Sequence, residues 1–254
     1  MSAITWTRHE FTPIADAAER EAWYTSAGLN SWFDITVTEG TTSSDYDTFV
    51  FKPYANDGAY YELLWQYMMG GTSSSLVPTL YQTYYYPPSS SSRSTAAIRK
   101  IKESTTDGKV SFDFATIGDT EILRICTTNV TWGNTIFFVK TKGESVDDNS
   151  VSNLFVVTSP YTDTATLAGE LCILSDAKAA VKRLSNTSAG VQLYTDNRGL
   201  CNKYILRNIV VLGVQTPLYS IDGSPDYAPG GNIEFMIDGN SYFSLGHGVC
   251  LKIS

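Results

Sequence analysis

Ser175-Asp176-Ala177-Lys178 sets a lysine three residues after a serine. On a helix that spacing is one turn, so the amine could take the hydroxyl proton of an attacking serine. Thr195-Asp196-Asn197 has the look of a supporting motif, yet the Lys-Thr-Gly that completes such a site is missing downstream. The plainer reading makes Ser175 the cap of a short helix. A serine triad needs a histidine base, and the two histidines, His9 and His247, lie at opposite ends of the chain. The sequence contains no Gly-x-Ser-x-Gly elbow. His247 falls in Leu245-Gly246-His247-Gly248, which reads as a corner between strands and lacks the third glycine and following helix of a dinucleotide site.

Carboxylate pairs suited to glycoside hydrolysis are Asp45 with Asp47, Asp147 with Asp148, and Glu234 with Asp238. All sit in turns or on the polar side of an alternating strand, where acidic residues keep a surface wet. Asp222-Gly223-Ser224-Pro225-Asp226 has room for a calcium ion but not the spacing of an EF-hand loop, and reads as a turn. Cys126, Cys172, Cys201 and Cys250 are tens of residues apart, whereas zinc ligands come in close pairs. They read as reduced, mostly buried small hydrophobes. The expectation is a protein that is not an enzyme, with no catalytic residues, no cofactor and no metal.

Aromatic residues are the one chemistry-bearing class in excess. Tyr60, Tyr61, Trp65, Tyr67, Tyr81, Tyr84, Tyr85 and Tyr86 crowd into 27 of the 254 residues. Exposed, such rings anchor protein interfaces or stack on sugars; half-buried in a sheet, they need no further role. Trp65, Tyr67, Tyr84, Tyr85 and Tyr86 are the candidates for interface or ligand-stacking residues.

The elements that would carry these residues are strands. Of the 254 residues, 13% are aromatic and only 17% charged, against about 25% charged in an ordinary soluble domain. Aromatic and β-branched residues suit a pleated surface, and a helical chain would hold more Lys and Glu. The net charge of −8 opposes binding along a phosphate backbone. The one basic run, Arg99-Lys100-Ile101-Lys102, is broken by Ile101 and reads as a solvated strand face.

Thr12-Pro13 offers a helix start and Gly28 a stop, which predicts a helix over about 13–26. Ser175, Val181, Leu184 and Lys182-Arg183 predict a second short helix near 176–185. Elsewhere the period is two: Ile35 and Val37, Thr48 to Phe51, Val110 with Phe112 and Phe114 after Asp107-Gly108, Ile122 to Cys126, Ile136 to Lys140, Leu154 to Val157, and Tyr204 to Leu212. The fold class expected is mainly β, an antiparallel β-sandwich or jelly-roll-like fold. Tyr84-Tyr85-Tyr86-Pro87-Pro88 and the serines after it mark the best internal boundary, giving an aromatic-rich segment 1–88 and a β-sandwich domain 89–254, or one continuous domain.

The last stretch is the most legible. Ile233, Phe235 and Ile237 alternate with Glu234, Met236 and Asp238, Asp238-Gly239 makes a turn, and Tyr242 to Leu245 returns. Asn232 to Gly246 resembles the C-terminal ends of structural proteins from tailed bacteriophages, where a strand, an Asp-Gly turn, an aromatic strand and a Leu-Gly corner close a β domain. The low-charge, Ser/Thr/Tyr-rich composition is similar to virion proteins as well. The resemblance implies a virion structural protein in the capsid decoration or the tail and baseplate, acting by protein–protein assembly. It transfers no functional residues. The partners expected are other virion proteins, with several copies or a homo-oligomer in each particle, and neither nucleic acid nor membrane. Met1 to Phe11 lacks the apolar core of a signal peptide and no run of 18 apolar residues occurs, so synthesis in a host bacterial cytoplasm and location in the virion are expected. The alternative is a carbohydrate- or receptor-binding β module whose partner is a host-surface glycan and whose platform is Trp65 with its tyrosine neighbours.

Overall fold

The computed structural model describes residues 4–39, 47–51, 60–66, 79–85, 110–127, 135–145, 150–158, 170–175, 182–185, 205–211, 214–222, 234–246 and 249–253. The chain is mainly β, with one α-helix, α1 (Ala17–Ser26), among the described residues. The strands are β1 (Thr7–Phe11), β2 (Asp34–Thr36), β3 (Asp47–Phe51), β4 (Tyr60–Gln66), β5 (Thr79–Tyr85), β6 (Val110–Ile117), β7 (Thr120–Thr127) and β8 (Thr135–Ser145). Then follow β9 (Val151–Thr158), β10 (Glu170–Ser175), β11 (Lys182–Ser185), β12 (Ile205–Val211), β13 (Val214–Asp222), β14 (Glu234–Ile237), β15 (Asn240–Gly246) and β16 (Val249–Lys252). A four-stranded sheet runs β2-β3-β4-β5, and a twelve-stranded one runs β1-β6-β7-β8-β13-β16-β15-β14 with β9 to β12 joined at its sides.

Two compact units divide the chain. Arg8–Asp113 with Ile125–Val130 make one, and Met1–Thr7, Phe114–Arg124 and Thr131–Ser254 make the other. The expected boundary after residue 88 lies outside the described residues, and the unit that starts at Arg8 continues to Asp113.

In the unit from Arg8 to Asp113, α1 begins later than the Thr12-Pro13 signal suggests. Asp16 is the N-cap, and its Oδ1 accepts from the Glu19 amide at 2.9 Å. The residues before it are held outside the helix because Arg20 Nη1 donates to the carbonyls of Ile14 (3.1 Å) and Ala15 (2.6 Å). Gly28 then stops the helix with φ of 76°, a left-handed conformation that glycine adopts without strain. The core here is aromatic. Phe11 sits edge-on to Trp23 and stacked on Tyr24, Trp23 packs on Phe112, and Tyr24 meets Phe49 at 5.0 Å between centroids.

Within that core lies a buried ion pair. Arg20 and Asp47 are both wholly buried, with Nε to Oδ2 at 2.9 Å. Asp47 also accepts from the Tyr24 hydroxyl (2.5 Å) and the Thr38 amide (2.8 Å), and Arg20 Nη2 reaches the Thr38 carbonyl (2.6 Å). A buried charge pair is tolerable only when its remaining donors and acceptors are filled in this way. One network thus ties α1, β3 and the segment after β2 together.

In the other unit the core cluster joins Ile122, Phe137, Val139, Val156, Leu218, Phe243, Leu245, Val249 and Leu251, with Ile4 and Trp6 packed against it. Phe137 of β8 and Phe243 of β15 are 5.7 Å apart between ring centroids. The two strands are separated by β13 and β16 in the sheet, which is about 14 Å along a flat sheet. The sheet must therefore curl over its own apolar face, as a sandwich-like fold requires. Strand β8 makes this possible: it pairs with β9 from Phe137 to Glu144 but with β13 only at Glu144 and Ser145.

The Asp238-Gly239 hairpin forms as expected, with φ of 49° and 79° at its two turn residues, both positive as a type I′ turn demands. Gly118-Asp119 supplies another tight turn between β6 and β7, with Gly118 at φ of 56°. The helix expected near 176–185 is a correction. Lys182–Ser185 is strand β11, paired antiparallel with Glu170 to Ile173 of β10, and 176–181 lie outside the described residues. A pairing partner overrides the weak helical spacing of Val181 and Leu184.

Replacing Asp47 by Ala would strand the Arg20 guanidinium without its counter-charge, so unfolding free energy should fall by about 3–5 kcal/mol. Tyr24→Phe, which removes one hydroxyl donor, should cost about 1 kcal/mol. Urea denaturation of the two variants beside the parent checks both the size and the order, and equal losses would contradict it.

Candidate functional site

The described aromatic candidates lie on β4 and β5. Trp65 of β4 faces Asp47 of β3 and Leu80 of β5, and Tyr84 of β5 pairs with Tyr61, which in turn pairs with Phe51. Tyr85 of β5 pairs with Tyr60 of β4. Tyr67 and Tyr86 lie outside the described residues, as do His247 and Asp196. Ser175 ends β10, while Asp176 to Lys178 are outside the described residues.

Of the carboxylate candidates, Asp45, Asp147 and Asp148 lie outside the described residues, and Asp47 and Glu234 are engaged elsewhere. Asp47 belongs to the buried pair with Arg20. Glu234 Oε1 accepts from the Ile4 amide at 2.8 Å. Asp238 lies four residues further along, in the turn of the same hairpin. No group of three or more His, Cys, Asp or Glu able to hold a metal occurs among the described residues.

A second buried polar cluster was not legible in the sequence. Arg8 Nε and Nη2 form a forked pair with Asp113, both bonds 2.9 Å. Cys126 Sγ lies 3.8 Å from Asp113 Oδ2 and 3.1 Å from Ser111 Oγ. The hydrogen bonds that Arg8 donates to the Asp113 carboxylate raise the pKa of its guanidinium above the ordinary value. Both carboxylate oxygens accept from Arg8, which holds Asp113 in one orientation. The cluster pins β1 and β6 together.

The outward side of the β9-β8-β13-β12 region carries a groove of about 420 Å³. Val151, Glu144, Gln215 and Val210 form one cross-strand row, each paired with the next. Asn208 and Tyr219 form the next row. Between the rows β13 bulges: Thr216-Pro217-Leu218 on one strand oppose the single residue Ile209 on the other. Proline has no amide to give a ladder, so it belongs at such a bulge. Asn208 repairs the gap, its Nδ2 donating to the carbonyls of Thr216 (2.6 Å) and Leu218 (3.3 Å), while Thr216 Oγ1 accepts from the Leu218 amide (3.1 Å). Those two carbonyls fix the amide's orientation and leave Asn208 Oδ1 buried without a partner. Asp119, from the Gly118-Asp119 turn, closes one end and pairs with Lys142 at 3.4 Å.

No family model, no curated protein and no solved structure matches the chain.

Cys126 and Cys250 are buried and not disulfide-bonded, as expected for them. Cys250 lies under Tyr219 and Tyr242, its thiol donating to the Tyr219 carbonyl at 3.6 Å. Burial pushes this thiol up to about 12, so it holds no thiolate at neutral pH and is no nucleophile. The folded protein retains a proton that the unfolded chain releases from its ordinary value of 9.0 upward. Stability is then full below that value and is lost as pH rises toward 12, by about 1.4 kcal/mol per pH unit. Burial raises Tyr242 in the same direction. Between pH 8.5 and 10.5, Cys250→Ala should lose on the order of 2 kcal/mol less than the parent in urea unfolding. Parallel declines would mean that the thiol titrates normally in the fold.

Proposed function

We propose that this chain is a non-enzymatic structural protein of a tailed-phage virion, working by protein–protein assembly in the capsid decoration or the tail and baseplate. The observation that carries the assembly part is the edge strand β14. It ends the large sheet and pairs only with β15 among the described residues. Edge strands are normally guarded by Lys, Pro or a bulge. Here the strand is Glu234-Phe235-Met236-Ile237, with Met236 51% exposed and the Glu234 carboxylate drawn onto the Ile4 amide. Val151 on β9 is 68% exposed. An edge strand without Lys, Pro or a bulge and with a protruding thioether suits strand addition by a neighbouring copy or another virion protein. The virion part of the reading rests on the resemblance of 232–246 and on composition.

Purified protein should self-associate at micromolar to millimolar concentration by light scattering. Met236→Lys should shift that equilibrium at least tenfold toward the monomer with an unchanged melting midpoint. The protein should also be found by mass spectrometry in purified particles. A chain that stays monomeric throughout and is missing from particles would refute the reading.

A further inference from the structure

We propose that the outward groove between β8, β9, β12 and β13 is a binding site for a neutral saccharide. It stands on observations separate from the β14 edge and holds whether or not the chain assembles through that edge. The volume, about 420 Å³, falls in the range of small-molecule sites. Its walls combine the side-chain types that recognise a sugar: a planar amide at Gln215, carboxylates at Asp119 and Glu144, and a half-buried aromatic ring at Tyr219, while the Asn208 NH2 is already used on the Thr216 and Leu218 carbonyls. Amides and carboxylates match vicinal hydroxyls with paired donors and acceptors, and a ring covers the C–H face of a pyranose.

The charges argue against other ligands. Lys142 is the one cation in the groove wall among the described residues, and it already pairs with Asp119 at 3.4 Å. A phosphate or sulfate group needs cations not already engaged by carboxylates. Two carboxylates alone do not make a cation cage.

Two features make this a formed site rather than a dent. Tyr219 is held by the Tyr242 ring, edge-on at 5.6 Å, so the platform is positioned before any ligand arrives. The wall beside it is set by the Pro217 bulge and the Asn208 amide that spans it. That amide leaves Oδ1 as the buried side-chain acceptor lacking a partner among the described residues. Unpaired buried acceptors are rare, and this one belongs to a residue of the groove wall.

The full chain would be tested on an array of neutral and anionic oligosaccharides, with the strongest neutral hit titrated by calorimetry. Tyr219→Phe, which keeps the ring, should bind within about twofold of the parent, while Tyr219→Leu should weaken binding at least tenfold. The surface double variant Gln215→Ala/Glu144→Ala should also lose at least tenfold with its melting midpoint unchanged, and it decides the matter if Tyr219→Leu does not fold. Met236→Lys should bind as the parent does, which separates this site from the assembly edge. No signal on any neutral glycan, binding confined to anionic glycans, or affinity unmoved by the double variant would each overturn the proposal.

Discussion

Strand β13 presents Leu218 to the core and Tyr219 to the outer face, and what lies on each side follows from that register. Leu218 pairs with Leu251 and Tyr219 with Cys250, so one row completes the apolar cluster and the next joins a second, smaller buried cluster of Tyr242 and Cys250 against which the half-buried Tyr219 ring packs. Side chains alternate with a period of two, and a slip of one residue would exchange the two sets. Leu218 and Leu251 would then face outward, and Tyr219 would carry its hydroxyl into a pocket of aliphatic chains. The Pro217 bulge holds the strand against such a slip. It absorbs extra residues at one place, and the Asn208 amide bonds the two carbonyls that the interrupted ladder leaves over.

The unit from Arg8 to Asp113 solves a related problem with charge. Its aromatic cluster is large, but rings alone do not dictate how a helix meets a strand. The forked contact of Arg20 with Asp47, with added bonds to Tyr24, Thr38, Ile14 and Ala15, has one geometry that satisfies every donor. Arg8 with Asp113 repeats the device nearer the surface. Such pairs add little net stability compared with apolar replacements, yet they penalise any arrangement that separates them.

Local patterns in the sequence were read correctly where neighbours in the chain are neighbours in space. The Asp238-Gly239 hairpin needs two consecutive residues with positive φ, and the Asp-Gly pair announces it. Gly28 ends the helix for the same reason. Lys182 to Ser185 misled because Val181 and Leu184 match helical spacing, while the strand state depends on pairing with Glu170 to Ile173. The helix start was misplaced because Arg20, six residues on, claims the Ile14 carbonyl. The groove was illegible for a stronger reason. Asp119, Glu144, Asn208 and Tyr219 come together only through the strand order β7-β8-β13 with β12 alongside, and no spacing within any one segment encodes that order.

The titratable groups most enclosed by the fold are also the ones least able to react. Cys250 is held protonated by burial, Asp113 by its position has both oxygens on Arg8, and Asp47 is filled by Arg20, Tyr24 and Thr38. Catalysis by general acids and bases needs a group whose proton can leave for a substrate, with a lone pair or proton left unspent. These groups spend theirs inside the protein. Among the described residues, Met236 on an edge, Val151 on β9, and Gln215, Glu144 and the Tyr219 ring of the groove lie outward on strands. The enclosed Cys250, Asp113 and Asp47 are instead engaged within the fold, each by a partner that the strand pairing or the helix brings to it.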